Sequence, residues 1–158
     1  MASAILSALH LLALAIGLPA VVLRATALRE LSESAARRAP DPGVMRRVLA
    51  ADNAWGIAAV LWLLTGPARA FGPLEKGTAF YLASPLFYVK LGLFALIFAI
   101  EIAPLVTFIR WRMALGRGAT PDPRPASLFA TLSWIEAALV VTIVFVAAFM
   151  ARGFGLAR

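Results

Sequence analysis

Four apolar runs, residues 4–23, 48–64, 86–109 and 128–151, constrain this chain more than any other feature. A bilayer core is about 30 Å thick, and a helix crosses it in about 20 apolar residues. Hydrocarbon offers backbone N–H and C=O groups no partners, so each run has to satisfy its own backbone as a helix. The pattern predicts an all-α fold, an integral membrane four-helix bundle, with residues 1–158 forming a single transmembrane domain. The first run lacks a basic segment before it and is too long for the apolar part of a signal peptide. It reads as a retained span.

The bulk composition removes whole classes of function. With 62% hydrophobic residues, the chain is too apolar for a disordered segment, a collagen or a disulfide mini-protein. The absence of cysteine excludes zinc–thiolate sites, iron–sulfur clusters and thiol catalysis. The one histidine excludes a His-rich metal site and a haem ligated by two histidines of this chain. A net charge of +7 raises the question of nucleic acid. No basic stretch carries the interleaved aromatics that stack on bases, so no nucleic-acid partner is expected. The cations lie between the apolar runs, where they set topology and meet anionic head groups.

The connections differ in kind. Residues 24–47 hold six arginines and three acids, and read as a helical extension followed by a turn at Pro40-Asp41-Pro42-Gly43. Residues 65–85 hold only Arg69 and Lys76 as cations, among Phe71, Phe80 and Tyr81, which suits a short interfacial helix with an aromatic belt. Residues 110–125 hold four arginines and close in a proline-rich linker. Cations number six and four in the first and third connections, against two each in the second connection and the C-terminal tail. The positive-inside rule then places the first and third connections in the cytoplasm and both termini outside.

An ionisable side chain in hydrocarbon costs about 2.5–3.5 kcal/mol on insertion scales, so each one needs an account. Five qualify: His10, Asp52, Lys90, Glu101 and Glu136. At 100° per residue, Ser3, His10, Gly17 and Arg24 form one small and polar stripe that should face other helices. Asp52 shares a predicted face with Gly56, Ala59, Leu63 and Gly66. Lys90, Ile97, Glu101 and Phe108 share another, and Glu136 aligns with Phe129, Val140 and Ile143. His10 and Lys90 lie in the outer half of the bilayer, and Glu101 and Glu136 share a level near the midplane. Two acids at one depth repel unless one is protonated or a cation intervenes. Plain structural roles are open for all five: Lys90 snorkelling to head groups, Asp52 pairing with Arg24 or Arg47, and His10 and the two glutamates bonding between helices. The tryptophans read as packing or interface residues, and Pro104 as a point where the third span breaks.

The run from Glu75-Lys76-Gly77-Thr78 through Ser84-Pro85 to Lys90-Leu91, with Leu9-His10, Thr65-Gly66-Pro67-Ala68-Arg69 and Met150-Ala151-Arg152-Gly153, resembles an uncharacterised bacterial family of four-span membrane proteins, of the domain-of-unknown-function 2214 type. That likeness covers nearly the whole chain and implies the inner membrane of a bacterium. Leu9-His10 and Lys90-Leu91 are also similar to the HemJ-type protoporphyrinogen oxidases and CopD-like membrane domains. This second resemblance implies haem b, with His10 as axial ligand to iron and Lys90 beside a propionate or a substrate carboxylate.

Three functions stand side by side at this point. Without a complete catalytic constellation, the chain reads first as a homo-oligomer or an accessory subunit packing in a larger membrane complex. The second is a haem- or tetrapyrrole-binding redox protein using His10 and Lys90. The third is a proton-coupled carrier using Asp52, Glu101 and Glu136.

Overall fold

The computed structural model describes residues 1–37, 41–72 and 77–154. Pro40 of the expected turn, Glu75 and Lys76 of the family-like motif, and the cations Arg38 and Arg158 lie outside the described residues. Five helices follow in order: α1 (Ala2–Ala36), α2 (Pro42–Phe71), α3 (Thr78–Leu82), α4 (Pro85–Gly116) and α5 (Ala126–Ala151). No strand occurs among the described residues. Each apolar run lies inside α1, α2, α4 or α5, and these four are long and apolar enough to cross a membrane. The helices outrun the apolar runs. The 35 residues of α1 give it a length of about 52 Å, so it projects well beyond a hydrocarbon core.

Local chemistry sets the ends. Asp41 caps α2, its Oδ1 accepting from the Gly43 N–H at 2.7 Å, with Pro42 at the first helical position. Gly118 adopts φ 72°, and the Ala119 N–H returns to the Ala114 carbonyl at 2.9 Å, which closes α4. The short aromatic α3 occupies the second connection. The expected break at Pro104 is absent: α4 runs unbroken through it, and Pro104 itself is buried. A proline in a helix removes one N–H without ending the helix when neighbouring helices hold the backbone in line.

The helix α1 packs against α2 and α5, and α5 packs against α4. The α1–α2 pair is antiparallel, with Glu30 meeting Arg47, Arg24 meeting Asp52, Gly17 meeting Ala58 and His10 meeting Thr65. A Cβ at Gly17 would stand 2.9 Å from the Ala58 Cβ and 2.8 Å from the Trp62 ring. Only glycine allows the two backbones this close. Leu28, Leu31, Val48, Phe108 and Phe129 fill the core at the arginine-rich end, and Val21, Trp55, Ile97 and Val140 fill the middle. Tyr81, Phe87 and Met150 pack at the opposite end.

Burial is inverted relative to a water-soluble bundle. Ile102 and Phe145 are 62% and 60% exposed while Arg24 and Glu136 are at 0%. That is the arrangement expected when the outside is lipid and the inside holds the polar groups. On α2 the buried face carries Val48, Asp52, Trp55, Ala58 and Thr65. Gly56 and Leu63, predicted to share that face with Asp52, point outward. The large Trp55 ring goes inward with Asp52 and rotates the small residues to the surface. Gly56 of α2 and Gly92 of α4 face open space, a Cβ built at either meeting no neighbouring helix among the described residues within 4 Å.

Candidate functional site

The Arg24 side chain is fully buried near the middle of α1 and reaches all the other long helices. A guanidinium has five N–H donors in a fixed plane and stays charged in any protein environment. Here all five are used. Nε donates to Ser133 Oγ of α5 at 3.1 Å. Nη1 donates to Asp52 Oδ1 of α2 at 3.0 Å and to Glu101 Oε1 of α4 at 2.7 Å. Nη2 donates to Glu101 Oε2 at 2.9 Å and to Glu136 Oε2 of α5. Glu101 thus holds the arginine through two parallel bonds, the geometry in which arginine and carboxylate match best. The Trp55 and Phe108 rings lie 5.7 Å from the guanidinium carbon and wall the site with π faces.

A second arginine extends the cluster. Arg112 of α4 donates through Nη2 to Asp52 Oδ2 at 2.7 Å and to Asn53 Oδ1 at 2.8 Å. Asp52 therefore bridges two guanidinium groups, one at 0% side-chain exposure and one at 33%. The carboxylates grade from Glu136 (0%) through Asp52 (8%) to Glu101 (18%). One oxygen, Glu136 Oε1, is buried with no hydrogen-bond partner among the described residues.

Of the residues singled out in the sequence, Asp52, Glu101 and Glu136 come together, with Arg24 as the intervening cation. Asp52 takes Arg24 as expected, while Arg47 pairs instead with Glu30 at 2.7 Å. Arg112, Ser133, Trp55 and Phe108 were not anticipated as members of the site, although the periodicity points to each. Arg112 lies three turns beyond Glu101 on one stripe, Ser133 one turn before Glu136, and Trp55 one turn after Asp52. Trp55 and Phe108 are more than packing residues, because each presents its ring to a buried charge.

His10 and Lys90 lie elsewhere. Fourteen residues of helix separate His10 from Arg24, about 21 Å along the axis. The Thr65 hydroxyl donates to the Leu61 carbonyl at 2.6 Å, so its 2.7 Å contact with His10 Nδ1 is one in which the ring donates. Lys90 is half buried in the first turns of α4, about 16 Å along that helix from Glu101. Among the described residues no three His, Cys, Asp or Glu side chains are arranged to hold a metal ion.

Grooves flank the helices, among them two lined by described residues. One of about 560 Å³ runs between α1 and α2, lined by Ala15, Pro19, Ala20, Ala50 and Ala54, with Thr26 and Arg47 also on its wall. A smaller one of about 320 Å³ lies at the arginine-rich end, beside Ser32 and Arg124. In that connection the Arg124 side chain donates to Asp122 and holds its carboxyl below the usual carboxylate range.

Fold and site together define an all-helical membrane protein of four spanning helices, pinned by a buried arginine that gathers three carboxylates. The chain belongs to the family described as "Predicted membrane protein (DUF2214)", whose model matches residues 2–155. No curated protein and no solved structure matches it. None of these comparisons shows the likeness to HemJ-type and CopD-like proteins.

Proposed function

We propose that this chain is a proton-handling membrane protein of carrier type, with the Arg24 cluster as its working centre. One observation carries the reading: three carboxylates from three different helices converge on a single buried guanidinium. Ionisable groups inside a membrane are expensive and mark ion or proton pathways more often than they mark simple glue. A buried ion pair is also a weak stabiliser, because desolvation offsets most of the attraction. Three carboxylates exceed what pinning α1 to its neighbours requires. The orientation that goes with this reading puts the arginine-rich end in the cytoplasm of a bacterium and both termini outside. The test is proton entry into lipid vesicles under an imposed potential, followed with a trapped pH dye. Wild type accelerates entry over empty vesicles, and Glu101→Gln and Glu136→Gln return it to background. Wild type no faster than empty vesicles sinks the reading.

Two further readings each have an observation behind them. The α1–α2 groove, lined by alanines and open at the lipid-facing surface, suits close approach of another helix. It supports a homo-oligomer or a subunit of a larger complex. Extraction in a gentle detergent and native mass measurement decide it, and a bare monomer under all conditions ends it. For haem b, the support is the contact between His10 Nδ1 and the Thr65 hydroxyl, of the kind that outer partners make with metal-bound histidines. The α1–α2 groove and the one beside Ser32 are lined by other residues, and no step is assigned to haem. An absorption spectrum of purified protein, before and after dithionite and again in His10→Ala, is the direct test.

A further inference from the structure

We infer that the cluster binds one proton, shared between Glu101 and Glu136, and that Glu101 is the port through which it exchanges. The inference rests on the reading of the cluster as a proton-handling centre and specifies how many protons it holds and where.

Charge comes first. The groups that face one another are Arg24 of α1, Asp52 of α2, Arg112 and Glu101 of α4, and Glu136 of α5, with Ser133 as the neutral member. Two guanidinium groups face three carboxyls. With every group ionised the cluster carries one uncompensated negative charge inside hydrocarbon. An isolated buried charge is removed by taking up a proton far more readily than it is tolerated. One proton brings the cluster to neutrality.

Hydrogen bonding then locates it. Both Asp52 oxygens are engaged by arginines, and Asp52 alone touches two cations. It stays ionised. Glu101 and Glu136 are different: both accept from the same nitrogen, Arg24 Nη2, so they are neighbours around one donor. Arg24 has no N–H left to give. Glu136 Oε1 is the oxygen left over, fully buried and without a partner among the described residues. An ionised oxygen in that position loses its hydration and gains nothing, whereas a protonated carboxyl carries no charge to solvate. Glu136 is therefore the resting place of the proton. Glu101 at 18% side-chain exposure is the member of the pair in touch with the outside, against 0% for Glu136. A proton arriving from water meets Glu101 first, and transfer to Glu136 exchanges which of the two carboxylates pairs with Arg24.

The test is the infrared C=O stretch of a protonated carboxylic acid, recorded at neutral pH on protein in lipid vesicles. Wild type shows one such band. Glu136→Gln abolishes it. Glu101→Gln also abolishes it, because two arginines then face two carboxylates and Glu136 ionises against Arg24. Burial of Glu136 alone predicts the opposite, a band that survives Glu101→Gln, and that result overturns the shared proton. Absence of the band in wild type overturns the inference outright. Both amide variants retain the side-chain shape, and the helical circular-dichroism signal checks that each one folds. A band that behaves as described in protein showing no proton entry supports the shared proton and sinks the carrier reading, so the two fail separately.

Discussion

Arg24 and His10 lie on the same stripe of α1, and both face α2. Their surroundings have little else in common. Arg24 is fully buried, spends every donor and draws side chains from α2, α4 and α5. His10 is half buried and reaches the Thr65 hydroxyl of α2. The first is a charged network whose members depend on one another. The second includes a hydrogen bond to a hydroxyl. In low dielectric an unpaired charge costs far more than an unpaired hydroxyl, so the two ends of one stripe differ in stability, in tolerance to substitution and in response to pH.

The sharpest way to break this comparison is to remove each centre in turn. Arg24→Leu leaves three carboxyls facing one another, and the expected loss is about 3–5 kcal/mol. His10→Leu is expected to cost about 1 kcal/mol. Thermal unfolding followed by monodispersity in detergent measures both, and equal losses would end the distinction. Between the two centres lies the Gly17 seam. Gly17→Leu meets Ala58 and Trp62 and is expected to cost about 1–3 kcal/mol by overpacking. Gly56→Leu projects from the open face of α2 and leaves the melting temperature unchanged. A smaller effect tests the His10 end on its own. Thr65→Val removes the acceptor of the ring N–H at an expected 0.5–1.5 kcal/mol, or roughly 0.6 kcal/mol if it follows the mean for hydrogen bonds in a membrane.

The smallest effect belongs to the Asp122–Arg124 turn. The folded carboxyl titrates below its unfolded value, so its contribution is present above the unfolded pKa and fades as pH falls through the folded one. Asp122→Asn should lower the melting temperature slightly at neutral pH, and the difference should vanish in acid. A difference that persists in acid would mean that the side chain acts through the turn rather than through its charge.

Much of the site was legible in the chain. Periodicity placed Arg24 with His10 and Gly17, and depth placed Glu101 and Glu136 at one level. The rule that two buried acids need a proton or a cation between them left both answers open, and the structure supplies a cation, Arg24. What periodicity could not supply was the rotation of α2. Gly56 and Leu63 fit the same stripe as Asp52 as well as Trp55 does, and the choice depends on which side chains fill the space beside α1. The apolar run ends at residue 109, so hydropathy alone puts Arg112 in the connection. The helix continues to Gly116 and carries Arg112 back to Asp52.

The sequence by itself determined that four apolar runs become four helices, because hydrocarbon leaves the backbone no other partner. It also determined that the acids within those runs need an account, because charge in lipid is costly wherever it sits. The tertiary structure decided which cation answers which acid. That pairing depends on helix rotation and register, set by contacts such as Gly17 against Ala58 and Trp55 beside Arg24. These contacts are a few ångströms wide and join residues far apart in the chain. Only the packed bundle reveals that five donors are spent and one carboxyl oxygen is left over.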